Sequence, residues 1–204
     1  MTRSATGEVA ALFARREAPL TGLADQADAV AATCHDIAMR FHRGGKLVVF
    51  GTGGQSTDAL HVAVEFMHPV IVGKRALPAI SLTADVATVT GLAADAGLAG
   101  AFAHQIRLLA EPADIAMGIA ADGNDPSVLA GLAAAKQLGL LTIALAGRDG
   151  GEIAASPDAD HVLVARSDDA RVVKEMHVTS YHLLWELVHV FFEQPGLLSP
   201  GVIV

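Results

Sequence analysis

The sequence is poor in cysteine, in aromatic residues and in clustered positive charge. Its one cysteine, Cys34, cannot form an internal disulfide, which favours a reducing, cytoplasmic location. Aromatic residues make up 4% of the chain against 52% hydrophobic residues, so the core is expected to consist mainly of Ala, Val, Leu and Ile. Such a composition favours helices packed on a parallel sheet over an aromatic-rich β-barrel.

Two further absences limit the partners of the protein. The formal net charge is −8 and the chain has no run of Lys or Arg, whereas a nucleic-acid groove needs clustered cations. No apolar run is long enough to span a bilayer, and no targeting segment is visible after Met1. We therefore expect no nucleic-acid partner, no membrane partner and a cytoplasmic protein.

Short apolar runs alternate with helical stretches along the chain. The predicted strands are 46–50, 79–82, 114–120, 140–146 and 161–164. The predicted helices are 7–20, 24–43, 56–68, 98–110, 126–138 and 171–193, with Thr21-Gly22 separating the first two. This order predicts an α/β fold, a doubly wound five-stranded parallel sheet flanked by helices, with an N-terminal helical extension.

The chain is expected to form a single domain over residues 1–204. The Ala-rich helices of 1–44 bury little within one subunit and are expected to form an oligomer interface, while 45–193 form the αβ core. Residues 194–204 form the C-terminal tail, and its apolar part 197–204 is expected to be an exposed patch or an interface arm. Ligands of such sheets bind beyond the carboxyl ends of the strands. Four segments should therefore surround one crevice: 51–56, 83–85, 121–125 and 147–151.

Four segments resemble the phosphoheptose isomerases, a branch of the sugar isomerase (SIS) family. They are VVFGTGGQSTDALHVAVEF, MGIAADGND, TIALAGRDGG and KEMHVTSYHLLWELV, in the same order, and the resemblance covers about residues 25–193. It implies the SIS fold and a homotetramer with active sites at subunit interfaces. It also implies that the partner is a small sugar or sugar derivative, and that the activity is an aldose–ketose isomerisation of sedoheptulose 7-phosphate.

The candidate catalytic residues lie on two helices. His61, Glu65 and His68 stand at i, i+4 and i+7 on one helix face, a pattern that suits a polar stripe, a metal site of two His and one carboxylate, or proton transfer. The resemblance implies that Glu65 is the catalytic base and His182 its acid partner. It also implies a possible zinc ion on His61, Glu65 and His182. His177 cannot share a face with His182, and we expect His177 and His189 to be helix-packing or interface residues.

Lys174 stands where the family has a zinc-binding Gln. A protonated amine has three donors and no acceptor, so it is a poor metal ligand. We therefore expect Lys174 either to occupy the place of the metal and pair with Glu65, which would make that carboxylate a weaker base, or to reach solvent.

The loop after the third predicted strand departs from the family pattern. The resemblance implies a Ser/Thr-rich phosphate loop there, but this chain has AADGND, and Gln55 replaces a Ser of the earlier loop. Asp125 is expected to cap the next helix with Pro126 in its first turn. Two carboxylates within about 4–6 Å of a phosphate cost on the order of several kcal/mol. The helix dipole would stabilise a bound phosphate by only roughly 0.3–1 kcal/mol. Because the repulsion is larger, the loop should not hold a phosphate. The implied substrate-binding residues are Thr52, Gly53, Gly54, Gln55, Ser56, Asp122, Gly123, Asn124, Asp125 and Lys174.

Three functions remain open from the sequence. The first is an isomerase with an altered substrate, either a sugar without phosphate or an amino sugar whose cation suits Asp122 and Asp125. The second is a non-catalytic regulatory protein that binds a protein partner. The third is phosphoheptose isomerisation itself, which must tolerate the acidic loop. Metal binding by the Asp122/Asp125 pair is a smaller alternative, because capped helix starts are far more common than metal sites of this pattern.

Overall fold

Helices and strands alternate in the computed structural model, which describes residues 5–194 and Gly196. The helices are α1 (Ala5–Ala14), α2 (Glu17–Ala24), α3 (Ala27–His42), α4 (Gly54–Met67), α5 (Val86–Ala96), α6 (Ala101–Leu109), α7 (Pro126–Gln137), α8 (Gly151–Ala155) and α9 (Ala170–Glu193), with a 3₁₀ turn at Leu98–Gly100. The strands are β1 (Leu47–Gly51), β2 (Ala79–Ser81), β3 (Ile115–Ala120), β4 (Leu141–Gly147) and β5 (His161–Ala165).

The five strands form one parallel sheet in the order β2-β1-β3-β4-β5. The predicted doubly wound sheet is therefore confirmed, and each predicted strand matches an observed one to within a residue at either end. The chain runs outward from β1 to β2 on one side and from β3 to β5 on the other. The carboxyl ends of β1 and β3 therefore form the switch point, where ligands of this architecture bind.

Helices cover both faces of the sheet, so β1, β3 and β4 are buried along their whole lengths. One core joins the sheet to α3, α4 and α9, and contains Cys34, Phe66 and Trp185. The other joins it to α6 and α7 and is centred on Phe50. The ring of Phe50 lies 2.6 Å from where a Cβ on Gly131 would stand. The absence of a side chain at this position lets α7 pack directly on the ring.

The N-terminal segment forms three helices where two were predicted. The chain bends at residues 15–16 and 25–26, whereas Thr21-Gly22, the predicted boundary, lies inside α2. The guanidinium of Arg16 fixes the first bend, because it donates to both carboxylate oxygens of Glu175 on α9, at 2.6 and 2.7 Å. The end of one helix is thus set by a contact 159 residues away in the sequence.

Two helices were missed by the sequence interpretation. Helix α5 starts after Asp85, whose carboxylate accepts hydrogen bonds from the main-chain nitrogens of Ala87 and Thr88 at 3.0 and 3.1 Å. The predicted helix 98–110 is divided into the 3₁₀ turn and α6, and the short α8 follows the loop after β4.

Within the described part of the chain, no helix is both long and apolar enough to cross a bilayer. The prediction of an apolar patch or arm at 197–204 concerns a segment outside the described residues.

Candidate active site

Two helices bring the predicted acid–base residues together. Helix α4 starts just beyond the carboxyl end of β1 and carries His61 and Glu65. Helix α9 packs beside it and contributes His182. The indole nitrogen of Trp185 donates to the main-chain oxygen of Glu65 at 2.8 Å. This bond fixes the two helices against each other at the level of the cluster.

The side chains of His61, Glu65 and His182 meet on one side of α4. His61 Nε2 lies 3.1 Å from Glu65 Oε1 and 3.5 Å from His182 Nε2. The Glu65 side chain is 14% exposed, while that of His61 is 39% exposed and His182 is open to solvent. Within the cluster, the carboxylate of Glu65 is therefore shielded from solvent and the imidazole of His182 is exposed to it.

Tyr181, which the sequence interpretation missed, orients this cluster. Its hydroxyl lies 2.7 Å from His61 Nδ1, and its ring packs edge-on against both His61 and His182. Burial raises the pKa of Tyr181, and the negative charges of Asp58 and Glu65 raise it further, so the hydroxyl keeps its proton. With Tyr181 donating to Nδ1, the proton of His61 is on Nε2 and points to Glu65.

The opposite tautomer of His61 suits a metal ion. One ligand atom each from His61, Glu65 and His182 lies within 4.8 Å of the others, and two His with one carboxylate are a common transition-metal set. In that case His61 Nδ1–H donates to the Tyr181 oxygen, the outer-shell contact that metal-bound histidines usually make. The donor set therefore fits zinc with one coordination position left open. His68 lies just past the end of α4 and is outside this group.

Lys174 does not pair with Glu65, and it does not simply reach solvent. Its ammonium contacts both carboxylate oxygens of Asp58 at 2.8 Å, the Gly54 carbonyl at 2.8 Å and the Thr57 hydroxyl at 3.0 Å. Both expectations from the sequence are therefore wrong. Asp58 lies about two turns before Glu65 on α4 and supplies the buried counter-charge, with its side chain 4% exposed. All four of these acceptor atoms belong to the first turns of α4.

The loop after β3 forms the helix start that its sequence predicts. Asp125 Oδ1 accepts from the main-chain nitrogens of Ser127 at 2.8 Å and Val128 at 3.3 Å, and Pro126 occupies the first turn of α7. The hydroxyl of Thr52 donates to the other Asp125 oxygen across the switch point. The amides that a phosphate would need at this helix start are thus already bonded to Asp125.

Two adjoining cavities form the crevice at the switch point. One has about 420 Å³ and is bordered by the loop after β3 and the 3₁₀ turn; the other has about 210 Å³ and lies between the loop after β1 and α5. Six of the implied substrate-binding residues line them: Thr52, Gly53, Ser56, Asp122, Asn124 and Asp125. Four do not: Gly54, Gln55, Gly123 and Lys174.

His177 packs in the interior, so of its two expected roles the structure supports helix packing. It is 1% exposed, and neither ring nitrogen forms a hydrogen bond with a described residue. Burial lowers its pKa; the nearby Ala146 carbonyl and Asp58 oppose this effect, and Lys174 adds to it. The ring is therefore neutral near pH 7.

The geometry agrees with comparisons to known proteins. A family model described as the SIS domain matches residues 14–147. The phosphoheptose isomerase of Solidesulfovibrio magneticus is 40% identical over 177 residues, which cover 86% of this chain and 85% of the relative. That of Desulfovibrio desulfuricans is 38% identical over 182 residues, 88% and 85% of the two chains.

A solved structure shows the same fold. The phosphoheptose isomerase of Neisseria gonorrhoeae superimposes with a TM-score of 0.82 at 26% sequence identity, covering 91% of this chain and 98% of that one. The family model spans more than half of the chain, and the curated relatives exceed 30% identity over most of it. The resemblance carried by the four sequence segments is thereby confirmed: this chain belongs to the SIS domain family and is a relative of the phosphoheptose isomerases.

Proposed function

We propose that this chain is an aldose–ketose isomerase that acts on a phosphorylated sugar, with sedoheptulose 7-phosphate as the first candidate substrate. The observation that carries the proposal is the cluster in which the Glu65 carboxylate and the His182 imidazole converge beside His61. The names of the curated relatives support the substrate class.

The proposed reaction moves one proton between neighbouring carbons. The Glu65 carboxylate takes the proton from C2 of the aldose and returns it to C1, through an enediol bound beside Glu65 and His182. His182 gives a proton to the C1 oxygen and takes one from the C2 oxygen, so that atoms and charge balance over the cycle. His61, held by Tyr181, keeps the carboxylate of Glu65 in place during both transfers.

Zinc is the cofactor that the cluster fits. His61, Glu65 and His182 would hold it, and a zinc ion there would polarise the carbonyl oxygen of the sugar. Glu65 and His182 would then act as its ligands instead of as the base and acid of the metal-free cluster. Lys174 would not contribute a ligand, because its ammonium is tied to Asp58. Metal content of the purified protein, compared with that of a His61→Ala variant, tests this part of the proposal directly.

The protein is proposed to act as a homotetramer in the cytoplasm. Large apolar side chains are exposed on the N-terminal helices and on α4: Val9, Leu12, Phe13, Leu20, Leu60, Val64 and Met67. Surfaces of this kind are usually covered by another chain. Light scattering of the purified protein would give the mass directly, and a monomer would contradict this part.

The enzymatic proposal is tested by deuterium exchange and isomerisation assays on the wild type, Glu65→Gln and His182→Asn. The substrates are sedoheptulose 7-phosphate, unphosphorylated sedoheptulose and an amino sugar. We expect turnover of the phosphorylated sugar by the wild type and a loss of about 10²- to 10⁴-fold in either variant. Glu111→Gln, an exposed Glu before β3 at the opposite edge of the sheet, is the matched control.

Other outcomes separate the alternatives. Turnover of the neutral or amino sugar alone would support the altered substrate that the acidic loop predicts. No exchange with any of the three sugars would overturn the enzymatic proposal and favour a regulatory protein that binds a protein partner.

A further inference from the structure

A third cavity, of about 520 Å³, lies at the carboxyl ends of β4 and β5, beside the switch-point crevice. Its lining is almost entirely polar and charged: Asn124, Arg148, Asp149, Arg166, Ser167 and Asp168. Asn124 also lines the 420 Å³ cavity, so the two cavities adjoin each other at this residue. A ligand longer than a few atoms can therefore extend from the crevice into this cavity.

Arg148 is held in an unusual backbone conformation at the edge of this cavity. Its φ is +57°, and among the described residues it is the one non-glycine with positive φ. It lies in a turn closed by the bond from the Gly150 nitrogen to the Gly147 oxygen at 3.0 Å. Gly or Asn adopts this conformation more readily than Arg. A strained residue at a ligand-binding edge points to a functional role for its side chain.

Both arginines of the cavity have their donors available. Arg148 and Arg166 are exposed, and neither side chain forms a hydrogen bond or ion pair with a described residue. Two neighbouring cations already have partners, since Lys174 is bonded to Asp58 and Arg171 to Asp169. Guanidinium groups bind phosphate oxygens in pairs of parallel hydrogen bonds, which makes two free arginines a suitable phosphate clamp.

The two aspartates of the cavity restrict the ligand to one class. Asp149 and Asp168 offset the charge of the arginines, so a bare anion gains little from the cavity as a whole. Ionised carboxylates only accept hydrogen bonds, and the hydroxyls of a sugar chain donate them. Donors and acceptors side by side therefore match a phosphorylated polyhydroxy chain better than inorganic phosphate.

We propose that Arg148 and Arg166 bind the phosphate of the substrate, in place of the helix start of α7. The inference rests on the proposed isomerase function, and it reconciles that function with the acidic loop. At the start of α7, Asp125 already accepts the bonds of the Ser127 and Val128 amides, so an incoming phosphate would meet a carboxylate. Because Asn124 borders both the crevice and this cavity, a phosphate held by the two arginines stays next to the crevice.

The test compares Arg148→Asn and Arg166→Gln with Arg107→Gln, which removes an exposed arginine from α6. Calorimetry measures binding of sedoheptulose 7-phosphate, unphosphorylated sedoheptulose and inorganic phosphate. We expect each cavity variant to weaken binding of the phosphorylated sugar by about ten- to hundredfold, with the unphosphorylated sugar unaffected. Arg148→Asn should also raise the melting temperature, because Asn tolerates the positive φ. A gain in stability with a loss of affinity excludes misfolding as the cause.

Equal affinity for the phosphorylated sugar in the wild type and both cavity variants would overturn the inference while leaving the isomerase function intact. Failure of the wild type to bind or turn over the phosphorylated sugar would overturn the proposed function instead. In that case the measurement with inorganic phosphate tests the site by itself. Binding of phosphate by the wild type and by Arg107→Gln, but not by the two cavity variants, would support a phosphate clamp. Equal results for the wild type and the cavity variants would reject it.

Discussion

The ammonium of Lys174 is held by both carboxylate oxygens of Asp58, each at 2.8 Å. The pair joins α9 to the first turns of α4, the helix that carries His61 and Glu65. Its two partners differ in exposure, because the side chain of Asp58 is 4% exposed and that of Lys174 is 40% exposed. Removing the ammonium of Lys174 should therefore destabilise the protein more than removing the charge of Asp58.

We expect Lys174→Met to destabilise the protein more than Asp58→Asn. The first change leaves a buried carboxylate without its cation, and the second leaves an ammonium that can still reach water. Allowing for the partial exposure of the lysine, we expect about 1–3 kcal/mol for Lys174→Met and about 1 kcal/mol for Asp58→Asn. Urea unfolding measures both. The double variant should lose less than the sum of the two, and strict additivity would show that the pair does not form in solution.

Tyr181→Phe is expected to lower the rate of isomerisation with little loss of stability. The change keeps the buried ring but removes the hydroxyl that faces His61 Nδ1, so the histidine no longer has one preferred tautomer. We expect kcat to fall by about tenfold or more and the free energy of unfolding to fall by about 1 kcal/mol. If zinc is bound, its affinity should fall by about 10- to 100-fold.

Ser180→Ala is the matched control for Tyr181→Phe. It removes a neighbouring buried hydroxyl, whose bond to the Met176 carbonyl at 2.8 Å stays within α9. Its kcat should equal that of the wild type. Unchanged kcat in Tyr181→Phe as well would disprove the role assigned to the tautomer of His61.

Because of His177, we expect the free energy of unfolding to fall as the pH falls. Because burial lowers the pKa of His177 in the folded state, the unfolded chain takes up a proton near its ordinary value of 6.5 while the native chain does not. The stability that this residue contributes is therefore complete above pH 6.5 and declines as the pH falls below it, by at most about 1.4 kcal/mol per pH unit.

His177→Met should remove that part of the pH dependence between pH 7 and 5. It should be as stable as the wild type at pH 7 or more so, because it also removes two unpaired polar atoms. The difference in unfolding free energy between the two proteins isolates His177 from other groups, such as Asp169, whose pKa is lowered to about 2. The exposed His104→Met serves as the control. Parallel pH profiles for His177→Met and the wild type would contradict the prediction.

The sheet could be predicted from the sequence because its strands are local signals. Each is a short apolar run next to glycine or polar residues, and burial on both faces makes the run continuous rather than alternating. The N-terminal bend could not be predicted in the same way. One glycine, Gly22, costs a helix only about 1 kcal/mol, whereas the actual bend is held by Arg16 and Glu175 from opposite ends of the chain.

The candidate site shows the same division between local and distant contacts. The spacing of His61 and Glu65 predicted that they share one helix face, and the pair Asp125-Pro126 predicted that Asp125 caps the start of α7. The partner of Lys174 was missed because it lies 116 residues away, and sequence pattern does not measure that distance. Tyr181 was missed because no spacing rule marks a hydroxyl that orients a histidine.

The loops at the ends of β3 and β4 are joined through two adjacent residues. A Cβ on Gly123 would lie 2.0 Å from the Gly150 carbonyl oxygen, and the Asn124 amide oxygen accepts from the Glu152 nitrogen at 3.0 Å. The main-chain nitrogen of Ile153 also donates to the Gly123 oxygen at 3.0 Å. Mutant libraries intended to change substrate preference should therefore vary both loops together, since diversity introduced into either one alone will mostly be eliminated as misfolded protein.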